Sequence, residues 1–140
     1  MSDRFDLARF VEAQAPVYRQ VVAELSRGRK QSHWMWFIFP QLAGLGFSAM
    51  AQRFAITSRD EAIAYLQHDI LGPRLFECTR LVNAVEAKTV REILGSPDDL
   101  KFRSSMTLFA AVSSAPEFRA ALKKYYGGEA DQRTLALLGG

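Results

Sequence analysis

The run WMWFIF, residues 34–39, constrains this chain more than any other stretch. Six large apolar side chains stand in a row between the polar segment GRKQSH and Pro40, with no polar face among them. An exposed helix keeps one polar side, and a half-buried strand alternates. A segment with neither pattern has to be enclosed by the rest of the fold. Trp, Phe and Ile suit a strand as residue types. A strand, however, needs neighbours for its backbone N–H and C=O groups. The chain offers no second stretch of period two and no Asn-Gly or Asp-Gly hairpin signal. The expectation is therefore a central buried helix, with Ser32 as its cap and Pro40 as its stop.

Six residues fall far short of the roughly 20 that a membrane-spanning helix needs. The opening MSDRFDLARF carries charge where a signal peptide has an apolar core. These readings predict a cytoplasmic protein. Its 140 residues allow about 68–70% of the unfolded chain's surface to be buried, enough to surround the aromatic run without staples. With no linker or shift in composition, one domain over residues 1–140 is expected. The one cysteine rules out an internal disulfide and any multi-cysteine metal site.

Elsewhere the punctuation marks helix ends. Asp6 can cap LARFVEAQ, and Pro16 suits the first turn of a second helix, whose stripe is Val17, Val21, Val22 and Leu25 and whose stop is Gly28. Ser48 can open AMAQRFA. Ser58 with Glu61, and Thr89 with Glu92, have the spacing of capping boxes. Gly72-Pro73 restarts the pattern, Ser96-Pro97-Asp98 starts a helix carrying Phe102, Met106 and Phe109, Pro116 starts another that Gly127 ends, and Asp131 caps a last short one. The predicted fold class is all-α: a compact single-domain bundle of about seven to nine helices, several of them short, around the buried aromatic helix.

Two stretches carry candidate chemistry. In the first, Lys30, Ser32, Trp34 and Gln41 would bind an anionic, nucleotide-like ligand, with Lys30 and free helix N–H groups at a phosphate, an indole for stacking and His33 as donor or general acid–base. The structural alternative makes Ser32 a cap, His33 a boundary residue and Lys30 a solvated charge. In the second, KFRSSMTLF, Lys101, Arg103, Ser104 and Ser105 set small hydroxyls beside two cations, which suits a phosphate or carboxylate. The alternative is that small residues let a neighbouring helix approach closely. Both candidates are expected to face one cleft, with Lys30 and Arg103 supplying its charge.

Other chemistries lack their residues. There is no P-loop, no G-x-G-x-x-G opening a helix and no G-x-S-x-G elbow. His33 and His68 lack zinc-ligand spacing, so no metal and no cofactor is expected. Cys78 reads as a small core residue and His68 as a helix-end residue. A net charge of +3, spread along the chain, gives no strong nucleic-acid signal.

The motifs GRKQSHWMWFIFPQLAGLGFS, FAITSRDEAIAYL, LGPRL and DLKFRSSMTLFA resemble the bacterial family known as domain of unknown function 1810, over nearly the whole chain. The resemblance implies a compact, mainly helical fold and no established activity, substrate or cofactor. Some members are labelled calpastatin; those inhibitors are disordered and repetitive, unlike this core-rich chain. The expectation for function is a small anionic ligand, nucleotide- or ADP-ribose-like, held beside the aromatic helix, with catalysis undecided. The alternatives are a non-catalytic protein-interaction module and a single-stranded nucleic-acid binder. Protein partners and oligomeric state are not legible in these residues.

Overall fold

A computed structural model describes residues 3–139 and shows ten helices. They are α1 (Ala8–Gln14), α2 (Tyr18–Ser26), α3 (Met35–Ile38), α4 (Ala49–Arg53), α5 (Arg59–Gln67), α6 (Leu71–Ala84), α7 (Val90–Leu94), α8 (Asp98–Val112), α9 (Pro116–Tyr126) and α10 (Gln132–Leu137). The fold is all-α. One isolated parallel bridge, Leu42 with Ile56, is the sole extended pairing among the described residues. No helix among them is long and apolar enough to cross a membrane.

Most of the predicted helix ends are made by the residues that signal them. The Ser48 and Ser58 side chains accept from the N–H groups of Ala51 and Glu61, and Asp131 accepts from Thr134. Thr89 and Glu92 form the full reciprocal box. Gly127 ends α9 in the left-handed conformation. Several ends differ from expectation. Pro16 lies before α2, whose N-cap is Val17, and Pro97 rather than Ser96 stands at the N-cap of α8, with no side-chain cap. Asp3, not Asp6, accepts the N–H groups of Leu7 and Ala8, at 2.7 and 2.8 Å. Glu61 turns its carboxylate away from Ser58 to Thr57 and to the Arg9 guanidinium, 2.9 Å away, so that box is only half made. α6 begins at Leu71 rather than Pro73; the proline lies in the first turn, where its missing N–H costs nothing.

The core is built on α8, which packs against α5, α7, α9 and α10. Phe102 and Phe109 lie on its buried side. Phe39 meets Phe102 edge-on at 4.8 Å between ring centres, Phe109 stands 5.7 Å from Phe118, and Tyr65 links Phe109 to Phe10. The aromatic run is enclosed as predicted, with one exception. Trp34, Met35, Phe37, Ile38 and Phe39 are buried, while Trp36 is half-exposed with the Lys101 ammonium 5.3 Å over its ring. α3 is a single turn, and its N-cap is Trp34 with no side-chain cap, not Ser32. So short a helix cannot hold itself. Its position depends on what grips the chain before it.

Candidate functional site

Glu24 provides that grip. It falls on the apolar stripe of α2, three residues after Val21, and is fully buried. Its Oε1 accepts from the Gln31 N–H at 2.7 Å, the Ser32 N–H at 3.0 Å and the Trp34 indole Nε1–H at 2.9 Å. Its Oε2 accepts from the Ser32 hydroxyl at 2.5 Å and the Gln20 amide at 2.9 Å. A buried carboxylate is stable only when its oxygens are fully engaged, and these are. Burial pushes the carboxyl upward, but the Ser32 hydroxyl, the Gln31 N–H, the Gln20 amide and the Ser32 N–H outweigh it and hold it at about 2.

This network changes the reading of the first motif. The N–H groups expected to be free for an anion at Ser32 are taken by the protein's own carboxylate. Trp34 is sealed in the core with its indole N–H spent on Glu24, so it offers no stacking face. Lys30 is anchored as well. Its ammonium lies 3.0 Å from Asp98 at the start of α8 and 5.0 Å from the Trp34 ring, and only 8% of its side chain is exposed. His33 is exposed and lies outside every hollow described below.

The second motif does open on a cleft. A hollow of about 460 Å³ lies between the loop before α4, the first two turns of α8 and the start of α10. Gln41 lines it from the loop, and Lys101, Arg103 and Ser104 line it from α8. Four of the expected site residues, drawn from both motifs, thus meet in one place. Arg133 adds a third cation; the Asp131 carboxylate lies in the wall, and the carboxylates of Asp98 and Glu129 stand 3.7 Å from Lys101 and 3.5 Å from Arg103. Phe47 and Ser48 complete the loop side.

The cations are held to different degrees. Arg103 donates Nε to the Glu129 carbonyl at 3.0 Å and Nη2 to the Ala130 carbonyl at 3.2 Å, which fixes its guanidinium. The Lys101 ammonium stands 3.7 Å from Asp98, so one aspartate serves two lysines and ties the loop before α3 to the cleft wall. Arg133 is exposed and makes no hydrogen bond or ion pair among the described residues. Ser104 donates its hydroxyl to the Leu100 carbonyl and keeps its lone pairs. Ser105, by contrast, is fully buried on the core side of α8 with its hydroxyl unpartnered, and does not reach the cleft. The split follows from one residue's rotation, about 100° around the helix axis.

Two larger hollows, of about 630 and 700 Å³, hold none of the expected residues and are walled mainly by apolar side chains. Among the described residues, no group of three or more His, Cys, Asp or Glu side chains is placed to hold a metal ion. Cys78 is buried and its thiol is pushed up to about 12 by burial, so it stays protonated.

Sequence reasoning missed Glu24, Phe47 and Arg133. Glu24 did leave a signal, a carboxylate on an otherwise apolar helix face. Phe47 and Arg133 left none, because single exposed residues of these types are common on any surface.

No curated protein matches the chain. A crystal structure of the conserved hypothetical protein Rv1873 from Mycobacterium tuberculosis is similar in fold and sequence, with 63% identity, a TM-score of 0.97 and 99% of each chain covered. The family model described as "Protein of unknown function (DUF1810)" matches residues 4–138. On that match over nearly its full length, the chain belongs to the DUF1810 family.

Proposed function

We propose that the protein binds a small anionic ligand in the cleft between the loop before α4, α8 and the start of α10. The observation that carries this reading is the meeting of Gln41, Lys101, Arg103, Ser104 and Arg133 around one opening of about 460 Å³. A concave site with a few converging polar groups is the usual form of a small-ligand pocket. Arg103, locked by two backbone carbonyls, offers a preset charge, Lys101 stands beside it paired with Asp98, and the exposed Arg133 retains freedom to close on a phosphate or carboxylate. Ser104 and Gln41 add hydrogen-bonding capacity at fixed points.

Lys30, Ser32 and Trp34 have structural roles in this proposal. They hold the aromatic run through Glu24 and Asp98 and do not touch the ligand. His33 receives no catalytic role, since it stands away from the cleft. The site is read as a binding site, and no reaction is assigned to it.

Thermal unfolding in the presence of sugar phosphates, nucleotides and ADP-ribose tests the reading. A ligand at 100 times its Kd adds about 2.7 kcal/mol of stability. At about 2–4 °C per kcal/mol for a chain of this size, Tm rises by about 5–11 °C. The double variant Lys101→Ala/Arg133→Ala should lose that rise. No shift with any anion, or an equal shift in the variant, refutes the cleft as the site.

A further inference from the structure

Resting on that reading of the cleft, we infer that its ligand carries a flat aromatic ring, as a nucleoside monophosphate does, and that Phe47 is the residue that selects it. Phe47 is the most exposed large apolar side chain among the described residues, at 75%. An isolated surface phenylalanine needs no explanation. This one is different because its backbone is pinned while its ring is left in water. The Gln52 side-chain amide donates to the Phe47 carbonyl at 2.8 Å, and the next residue, Ser48, caps α4 through the Ala51 N–H. On the other side, Gly46 packs so closely on α4 that a Cβ there would stand 2.8 Å from that of Ala51. The ring is thus presented by a rigid frame at the lip of a charged cleft.

The cleft wall is also mixed in chemistry. Leu45, Phe47 and Leu100 give it apolar surface, and Leu100 is itself 58% exposed. Lys101, Arg103 and Arg133 give it positive charge. A ligand satisfying both kinds of surface needs an apolar plate joined to an anion. A bare phosphate or sugar phosphate would leave Phe47 and Leu100 in water. A base stacked on Phe47 covers them, and stacking tolerates any base because each has a π-face. The stacking role expected of the sealed Trp34 falls to this residue.

Titration calorimetry with ribose 5-phosphate and adenosine monophosphate separates this inference from the reading it rests on. The wild type should bind adenosine monophosphate at least about fivefold more tightly than ribose 5-phosphate, the lower end of one base–aromatic stack. Phe47→Ala should abolish that preference and leave the ribose 5-phosphate affinity unchanged, and Phe47→Trp should restore the preference. Because the side chain is exposed, these variants should fold as the wild type does. Equal affinities for the two compounds in the wild type, or a preference that persists in Phe47→Ala, overturn the inference while leaving an anion site in place. Silence from both compounds overturns the anion site and the inference together.

Discussion

Replacing Glu24 by glutamine should lower stability at neutral pH by about 3 kcal/mol, and the deficit should shrink in acid. The three donors on Oε1, two backbone N–H groups and an indole N–H, cannot reverse. The two on Oε2, a hydroxyl and an amide, can: the hydroxyl turns to accept, and the Gln20 amide flips. A glutamine with its oxygen in the Oε1 seat therefore keeps every contact and loses only the charge. The charge is what the folded site favours, since the carboxyl titrates at about 2 instead of its ordinary 4.5. That difference corresponds to about 3 kcal/mol. The folded value is the depressed one, so the contribution is complete above 4.5 and is lost as pH falls towards 2. About half should remain at pH 3. Urea unfolding of wild type and Glu24→Gln at pH 6 and pH 3 measures both quantities, with a midpoint about 1–3 M lower for the variant at pH 6. A deficit that is the same at both values, or absent at pH 6, refutes the assignment of Glu24 as a buried anion. Glu24→Ala should be worse than glutamine at either pH, because it strands the Trp34 indole and two backbone N–H groups at about 1–3 kcal/mol each.

Two further outcomes follow from local geometry. Gly72→Ala, in the first turn of α6, should destabilise by about 1–3 kcal/mol in thermal unfolding. Alanine is the better helix former, yet its Cβ would lie 2.2 Å from the Leu66 carbonyl oxygen; a stabilised variant would disprove the contact. Cys78 should resist iodoacetamide at pH 8 in the folded protein and react on addition of denaturant, as burial and a raised thiol pKa require; native alkylation at the rate of a free thiol would contradict its placement.

The amino-acid sequence alone determined the all-α class, the enclosure of the aromatic run and most helix ends. These depend on interactions within a few residues: Ser48 with Ala51, Ser58 with Glu61, Thr89 with Glu92, Asp131 with Thr134. Such contacts repeat at fixed spacings, so their signals are short and legible. It left open which of several polar residues would meet. Ser104 and Ser105 are adjacent, chemically identical and both buried, yet Ser104 borders the cleft and Ser105 does not. Lys30 was expected at the ligand and instead holds Asp98, 68 positions further along the chain by number. Gln41, Phe47, Lys101 and Arg133 share one opening only because α8 and α10 fold back beside the loop before α4. Tertiary packing decided these outcomes, for a physical reason: the orientation of a side chain depends on how helices dock, and docking is set by the whole buried surface, not by any spacing along the chain.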